Sequence, residues 1–318
     1  MKKKIVVPIL LVVAAAASLV FVNYKAAEAI QLQLQQVNQS YADMAEYEGL
    51  PALHLAHGSI SANVLTSSYR IDDLQLTMTG LGQVLTIDSV QLKGLKPNQL
   101  ANKGNVNING LMAGSGALLF MPTELSEFVQ SVQLHGDYHY AYSPGNGDLW
   151  FSQQTRINDE FQFSYQFTFT HMQLVWQWLS EVTAMSSEQQ QALMASESYL
   201  DEVSEAVRQG AVSQGELHLA NNGFLERLVD FTSANGQSPS LDAIRGMAMM
   251  TLAMADGVPA EFKQSLMSFI EQPKSLTLNF QFKQPVSFAA LESGTAFMEF
   301  DSPEAMLEFS GIRLVANQ

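Results

Sequence analysis

Cysteine is missing from all 318 residues, and with it go disulfide staples, a thiolate nucleophile and any Cys-ligated zinc. Stability must come from burial, for which a chain of this length has ample material. Positive charge is scarce as well, since 16 Lys and Arg stand against 31 Asp and Glu for a net charge of −15. With Lys2, Lys3 and Lys4 set aside, the remainder is nearer −18. Such a body repels phosphate backbones and anionic lipid surfaces, which excludes nucleic acid as a partner. Reactive signatures are also missing: the sequence holds no G-x-S-x-G, Ser-x-x-Lys or H-E-x-x-H, no Walker or G-x-G-x-x-G loop and no EF-hand loop. No cofactor is implied.

Long apolar runs are rare, with one exception. Ile5 to Val22 carries no charge, follows the Lys2–Lys4 cluster and leads into Asn23-Tyr24-Lys25. That order reads as a transmembrane signal-anchor over residues 1–22, held by its basic end on the cytoplasmic side. A secretory signal has the same parts but a shorter core and a small-x-small cleavage site, which Ala15, Ala17 and Ser18 could supply. The run continues through Leu19, Val20, Phe21 and Val22, long enough to span, and this favours retention. The expected location is a bacterial inner membrane crossed once, with the C-terminal body in the periplasm. A Gln, Asn, Ser and Thr rich composition accords with an envelope protein.

Ile30, Leu34, Val37 and Tyr41 recur at helical spacing, so residues 23–48 are expected to form a helical stalk or the first helix of the body. Gly49-Leu50-Pro51 ends it, and strand signals then dominate to about Thr170. Ile71, Leu74, Leu76 and Met78 mark one strand and Val84 to Lys93 the next, turned by Gly80-Leu81-Gly82, with a bulge expected near Ser89 where the apolar phase slips. Val106 and Ile108 mark a short strand, and Thr123 to Gln130 a small helix after Pro122.

Tyr138, Tyr140 and Tyr142 alternate with His139 and Ala141, and a further strand runs from Leu149 to Ile157. Then Phe161, Phe163, Tyr165, Phe167 and Phe169 alternate with Gln162, Ser164, Gln166, Thr168 and Thr170, wholly aromatic on one face and wholly polar on the other. Five such rings represent roughly 25 kcal/mol of gross burial at about 25 cal/mol per Å². A face of that size is covered by the protein's own helices or lines a groove for an apolar ligand.

Helices are expected over a block of about 172–271, broken by a short strand at Leu217 and Leu219. Within it Ser238-Pro239 reads as an N-cap followed by proline, opening a helix to Ala255 that is apolar nearly all round and carries Met247, Met249, Met250 and Met254. Leu276 to Lys283 reads as a strand stopped by Pro285, and Met306 to Val315 as the last strand. Strands, helices, then strands again, without βαβ alternation, give an α+β fold: an N-terminal transmembrane helix followed by a β-rich antiparallel body with a helical insertion, one domain over 49–318.

Two histidine pairs, His54 with His57 and His135 with His139, lack the further ligands a metal needs, and they read as polar-face residues. Asp72-Asp73, Asp159-Glu160 and Asp201-Glu202 sit at turns or on a polar helix, where solubility explains them. The methionines read either as core filling or as a compliant lining for an acyl chain, and Trp176 and Trp178 as helix-to-sheet packing.

The stretch from Gly58 to Leu95, GSISANVLTSSYRIDDLQLTMTGLGQVLTIDSVQLKGL, resembles segments of AsmA-like and YdgA-like bacterial envelope proteins. Phe269 to Leu291, FIEQPKSLTLNFQFKQPVSFAAL, is similar to the helix, proline, strand, proline ending of the YdgA-like kind. The resemblance implies an inner-membrane anchor and a β-rich periplasmic body, and on the AsmA-like side a lipid-accommodating apolar groove.

The sequence thus leads to a non-enzymatic, membrane-anchored envelope protein whose body binds a lipid or other apolar ligand. The candidate groove joins Phe161, Phe163, Tyr165, Phe167 and Phe169 to Met247, Met250 and Met254. The alternative is an envelope scaffold or assembly module that meets a protein partner and takes no small ligand.

Overall fold

The computed structural model describes residues 26–63, 67–94, 100–186, 189, 192–193, 196, 198–236, 238–255, 257–298, 300 and 302–318. The leader from Lys2 to Val22 lies outside them, and among the described residues no helix is long and apolar enough to cross a membrane. Among the described residues the chain is α+β, with helices and eleven strands in antiparallel pairing. Two compact units divide it, residues up to 139 with 175–203, and 140–174 with 204–318.

In the first unit, helix α1 (Ala26–Glu48) precedes strands β1 (Leu53–Ala56), β2 (Ile60–Asn63), β3 (Ser68–Met78), β4 (Gly82–Lys93) and β5 (Lys103–Ala113). Short helix α2 (Ser115–Leu118), helix α3 (Thr123–Gln130) and strand β6 (Leu134–Ser143) follow. The order runs β1-β3-β4-β5-β6, with β2 on the side of β3. Ile30 and Leu34 of α1 are buried against Tyr69, Ile71 and Leu74 of β3 and Ile87, Val90 and Leu92 of β4, and Tyr41 packs with Leu76. The Asn38 amide fixes the helix to β1, accepting the Leu55 N–H at 2.7 Å and donating to the Leu55 carbonyl at 2.9 Å. This segment is the wall of the unit's core, so its 3.6-residue stripe is spent on packing.

The phase slip at Ser89 has a different cause from the bulge expected there. Pairing runs unbroken through Ile71 with Val90, Asp72 with Ser89 and Leu74 with Ile87. Both strands slip together, Asp73 taking φ 53°, so no residue is left over. The register shift lies instead between Leu76 and Thr77, where Val84 is the extra residue.

In the second unit, β7 (Asp148–Ile157), β8 (Phe161–Thr170), β9 (Ala211–Asn221), β10 (Ser275–Ser287) and β11 (Arg313–Ala316) pair in that order. Helices α4 (Gln173–Ala184) and α5 (Ser198–Arg208) come between β8 and β9 in the chain, their residues 175–203 being counted with the first unit. Then α6 (Phe224–Ala234), α7 (Leu241–Met254) and α8 (Ala260–Glu271) precede β10, while α9 (Phe288–Glu292) and α10 (Pro303–Ser310) precede β11.

Four expectations need correction. The short strand at Leu217 and Leu219 is an eleven-residue strand between β8 and β10. Pro285 does not stop β10, because residues 282–285 bulge between the pairs Gln281 with Gln214 and Val286 with Val212, where no ladder N–H is required of it. Residues 306–310 are helical. Ser302 caps α10 by accepting the Ala305 N–H at 3.2 Å, with Pro303 opening the helix, and the last strand is only Arg313–Ala316. The cap of α7 is Ser240, which accepts the Ala243 N–H at 3.4 Å, so Pro239 precedes the cap.

Candidate functional site

Strand register places the aromatic residues of β8 at the centre of one face of the second unit's sheet. Phe163 lies between Thr155 and Leu219, Tyr165 between Gln153 and Leu217, and Phe167 between Phe151 and Gly215. Leu276, Leu278 and Phe280 of β10 continue those rows. Period-two alternation requires all of these to share a face. The rings form a contiguous file, with centroids 5.9 Å apart for Phe163 and Tyr165, 5.5 Å for Tyr165 and Phe167, and 5.9 Å for Phe167 and Phe169.

Gly215 makes this file possible. A Cβ there would stand 2.5 Å from Phe167 Cδ1 and 2.6 Å from Phe280 Cε1, so the missing side chain is the space in which the two rings meet, 6.2 Å apart. The glycine that weakens the strand signal in the sequence is thus a packing requirement of its neighbours.

Helices meet the file at its ends. Phe224 of α6 lies 5.7 Å from Phe161, and Phe288 of α9 lies 5.6 Å from Phe169. The start of α6 is fixed by Asn221, whose Oδ1 accepts the Leu225 N–H at 2.9 Å and whose amide donates to Glu226 at 2.7 Å. Arg227 adds an ion pair to Glu160 at 2.7 Å and lies 5.5 Å from the centre of the Phe224 ring. At the far edge α8 sits over β11, the Ser265 hydroxyl donating to the Leu314 carbonyl at 2.8 Å.

The file is only partly enclosed along its length. Phe163, Tyr165, Phe167, Leu217, Leu219 and Leu278 are all half-buried, whereas the core of the first unit contains side chains such as Leu34 at 2 % exposure. Partial burial pushes the Tyr165 phenol above its ordinary value by desolvation. The face is therefore a half-buried apolar floor that helices meet at its two ends.

The methionines do not join it. Met247, Met250 and Met254 are 54, 61 and 70 % exposed. Helix α7 packs on α6 and α8, turning inward its half-buried stripe of Leu241, Ile244, Ala248, Met249 and Leu252, so the other methionines are left outside. A helix apolar on every side offers no sequence signal for which side faces inward. The sequence reading also missed the rest of the floor, namely the leucines of β9 and β10 with Gly215. The alternation of Gly215, Leu217 and Leu219 was the available signal, and the glycine masked it.

The histidines are engaged elsewhere. The Gly110 N–H donates to His135 Nδ1 at 3.4 Å, the Asn105 amide lies 3.1 Å from the His139 ring nitrogens, and Asp137 accepts from Asn107. His218 Nδ1 is 2.8 Å from Thr277 Oγ1. Among the described residues no three His, Asp or Glu side chains converge as metal ligands.

An antiparallel sheet with a half-buried aromatic face and helices meeting its ends defines an α+β protein. A family model described as "Uncharacterized protein" matches residues 154–317, just over half of the chain, and the chain belongs to that family. The matched span begins within β7 and ends just past β11, so it holds the whole aromatic strand and the helices around it. No curated protein matches the chain.

Proposed function

We propose that this chain is a membrane-anchored envelope protein that acts by binding, its second unit taking an apolar ligand such as a lipid acyl chain over the middle of β8. The observation that carries the reading is the half-buried state of Phe163, Tyr165 and Phe167 together with their leucine neighbours on β9 and β10. Each fully sealed aromatic side chain is worth about 1.5 to 3 kcal/mol of burial, and a ligand lying on this floor would supply what the helices leave uncovered. The uncharged lining suits hydrocarbon, and the Tyr165 hydroxyl offers one polar contact for a head or linker group. The Lys2–Lys4 cluster and the run from Ile5 to Val22 support an inner-membrane anchor with the body in the periplasm, as does the resemblance to AsmA-like and YdgA-like proteins.

The test is native mass spectrometry and lipid extraction of the full chain purified from membranes, with uptake of a fluorescent fatty acid measured in parallel. Co-purifying lipid and saturable uptake that falls in Phe163→Ala support the reading. A ligand-free protein with no uptake overturns it. A reporter fused after Gln318 should be active only when exported, and a cytoplasmic C-terminus would overturn the topology.

A second reading, a scaffold that meets a protein partner, is supported by the contacts Phe224 and Phe288 make at the ends of the ring file and by the acidic composition. One stoichiometric crosslinked partner in cells, without lipid, would favour it.

A further inference from the structure

The opposite face of the same strands carries a second feature, built from the side chains that alternate with those of the apolar floor. An open groove of about 610 Å³ crosses it, and its polar side chains and Trp150 fall on two rungs of the ladder, with Phe167, Gly215 and Phe280 of the rung between them, and Gly311, completing the lining. One rung places Gln166 beside Glu216, Asn279 and Arg313, and the other places Trp150 beside Thr168, Gln214 and Gln281. Because the two faces alternate residue by residue, none of these side chains belongs to the aromatic floor.

We infer that this groove is a carbohydrate-binding site that takes a short run of sugar units laid across the strands. Three observations carry it. First, Gln166, Gln214, Asn279 and Gln281 bring four carboxamides to the lining, and each Gln or Asn offers both a donor and an acceptor, the mixed demand that adjacent sugar hydroxyls make. Second, Trp150 is 37 % exposed at the β7 side of the groove, a costly place for an indole unless its face serves as a platform, and the electron-rich face of an aromatic ring suits the C–H groups of a pyranose. Third, the rungs are spaced at about 4.8 Å per strand, so the groove from β7 to β11 extends over about 19 Å, and its pitch is comparable with one sugar unit per strand.

Competing ligand classes fit less well. Hydrocarbon would meet the Trp150 indole but otherwise mostly polar side chains, since Phe167 and Phe280 line the groove from a rung whose side chains alternate to the opposite face. Glu216 on the same rung as Arg313 offsets the cation that would select a phosphate, and the net charge of −15 opposes a polyanion. Neutral glycans remain, either N-acetylated amino sugars or plain hexoses, and the probes below separate the two.

The test is isothermal titration of the full chain in lipid nanodiscs, which avoid glycosidic detergents, with chitotetraose, cellotetraose and a tetraglutamine peptide. Saturable binding of at least one tetrasaccharide is expected, weakened at least tenfold in Trp150→Ala and several-fold in Gln166→Ala, with the thermal unfolding midpoint of both variants unchanged. Sugar addition should also alter the tryptophan fluorescence, and that response should vanish in Trp150→Ala. Should Trp150→Ala fold poorly, Asn279→Ala carries the same expectation. Phe163→Ala should leave sugar binding within twofold, so that loss of the apolar ligand and loss of the sugar are separately readable. No saturable binding of either sugar, binding of the peptide alone, or affinity unchanged within twofold in both Trp150→Ala and Gln166→Ala would overturn the assignment.

Discussion

At the scale of single residues, the most informative position is Phe163, because what its ring is worth separates a sealed core from a binding floor. Truncating a fully buried Phe costs about 3 to 5 kcal/mol. For a ring half-buried in the middle of β8 the expected loss in Phe163→Ala is about 2 kcal/mol, read by denaturant unfolding of the full chain. A loss in the full core range would mean that the helices seal the face in solution. Asp72 supplies a pH-dependent counterpart in the first unit. The Ser59 hydroxyl, donating at 2.7 Å, and then Arg70, at 2.6 Å, hold its carboxyl below the ordinary aspartate range. A carboxylate with a lowered folded-state pKa contributes stability above its unfolded pKa and loses it as pH falls through the folded one. The expected NMR titration midpoint of Asp72 therefore lies below that of a free aspartate and rises in Ser59→Ala. An unchanged midpoint in that variant would rule out the hydroxyl as the main cause. Because the pair is exposed, the effect on total stability is expected to be under about 1 kcal/mol.

At the scale of elements, β9 decides whether the aromatic file can exist. Gly215→Ala would place a methyl group 2.5 Å from Phe167 and 2.6 Å from Phe280, and both rings are held by further rings, Phe167 by Tyr165 and Phe169 and Phe280 by Phe282. Overpacking of that kind is expected to cost about 1 to 3 kcal/mol, measured as a shift in the urea midpoint, and to lower fatty acid uptake by displacing Phe167. Wild-type stability in the variant would mean that the rings have room to move. The elements also differ in how plainly they could be read. Thr123–Gln130 and Phe161–Thr170 were legible because a single period runs through each. The segment at 306–310 was not, since Met306, Leu307 and Phe309 serve a short helix or a strand equally well, and only the Ser302-Pro303 pair favoured a helix start.

At the scale of the molecule, the two units are built differently. The first has a core in which α1 buries Ile30 and Leu34 against β3 and β4, whereas the second keeps its largest apolar face half-open. Leu34→Ala is accordingly expected to cost about 3 to 5 kcal/mol, the range for a Leu at a site that cannot collapse, and hydrogen exchange should localise the loss to the first unit. A cost below about 1 kcal/mol would mean that α1 is not part of that core.

What the residues determined by themselves is the periodic and compositional part. The alternation of β8 was readable from period two, the α+β class from the order of strands and helices, and the lack of thiol chemistry from composition. Only tertiary structure decided which apolar surfaces are covered. Met247, Met250 and Met254 looked like lining because helical periodicity marks no inward side on a uniformly apolar helix, and the packing of α7 on α6 and α8 left them exposed. Gly215 looked like an interruption because a glycine's worth lies in its neighbours' rings, which come from strands about 50 and 65 positions away. The polar groove likewise exists because antiparallel pairing brings Trp150, Gln166, Glu216, Asn279 and Arg313 onto adjacent rungs, a proximity set by hydrogen-bond register and not by any local pattern.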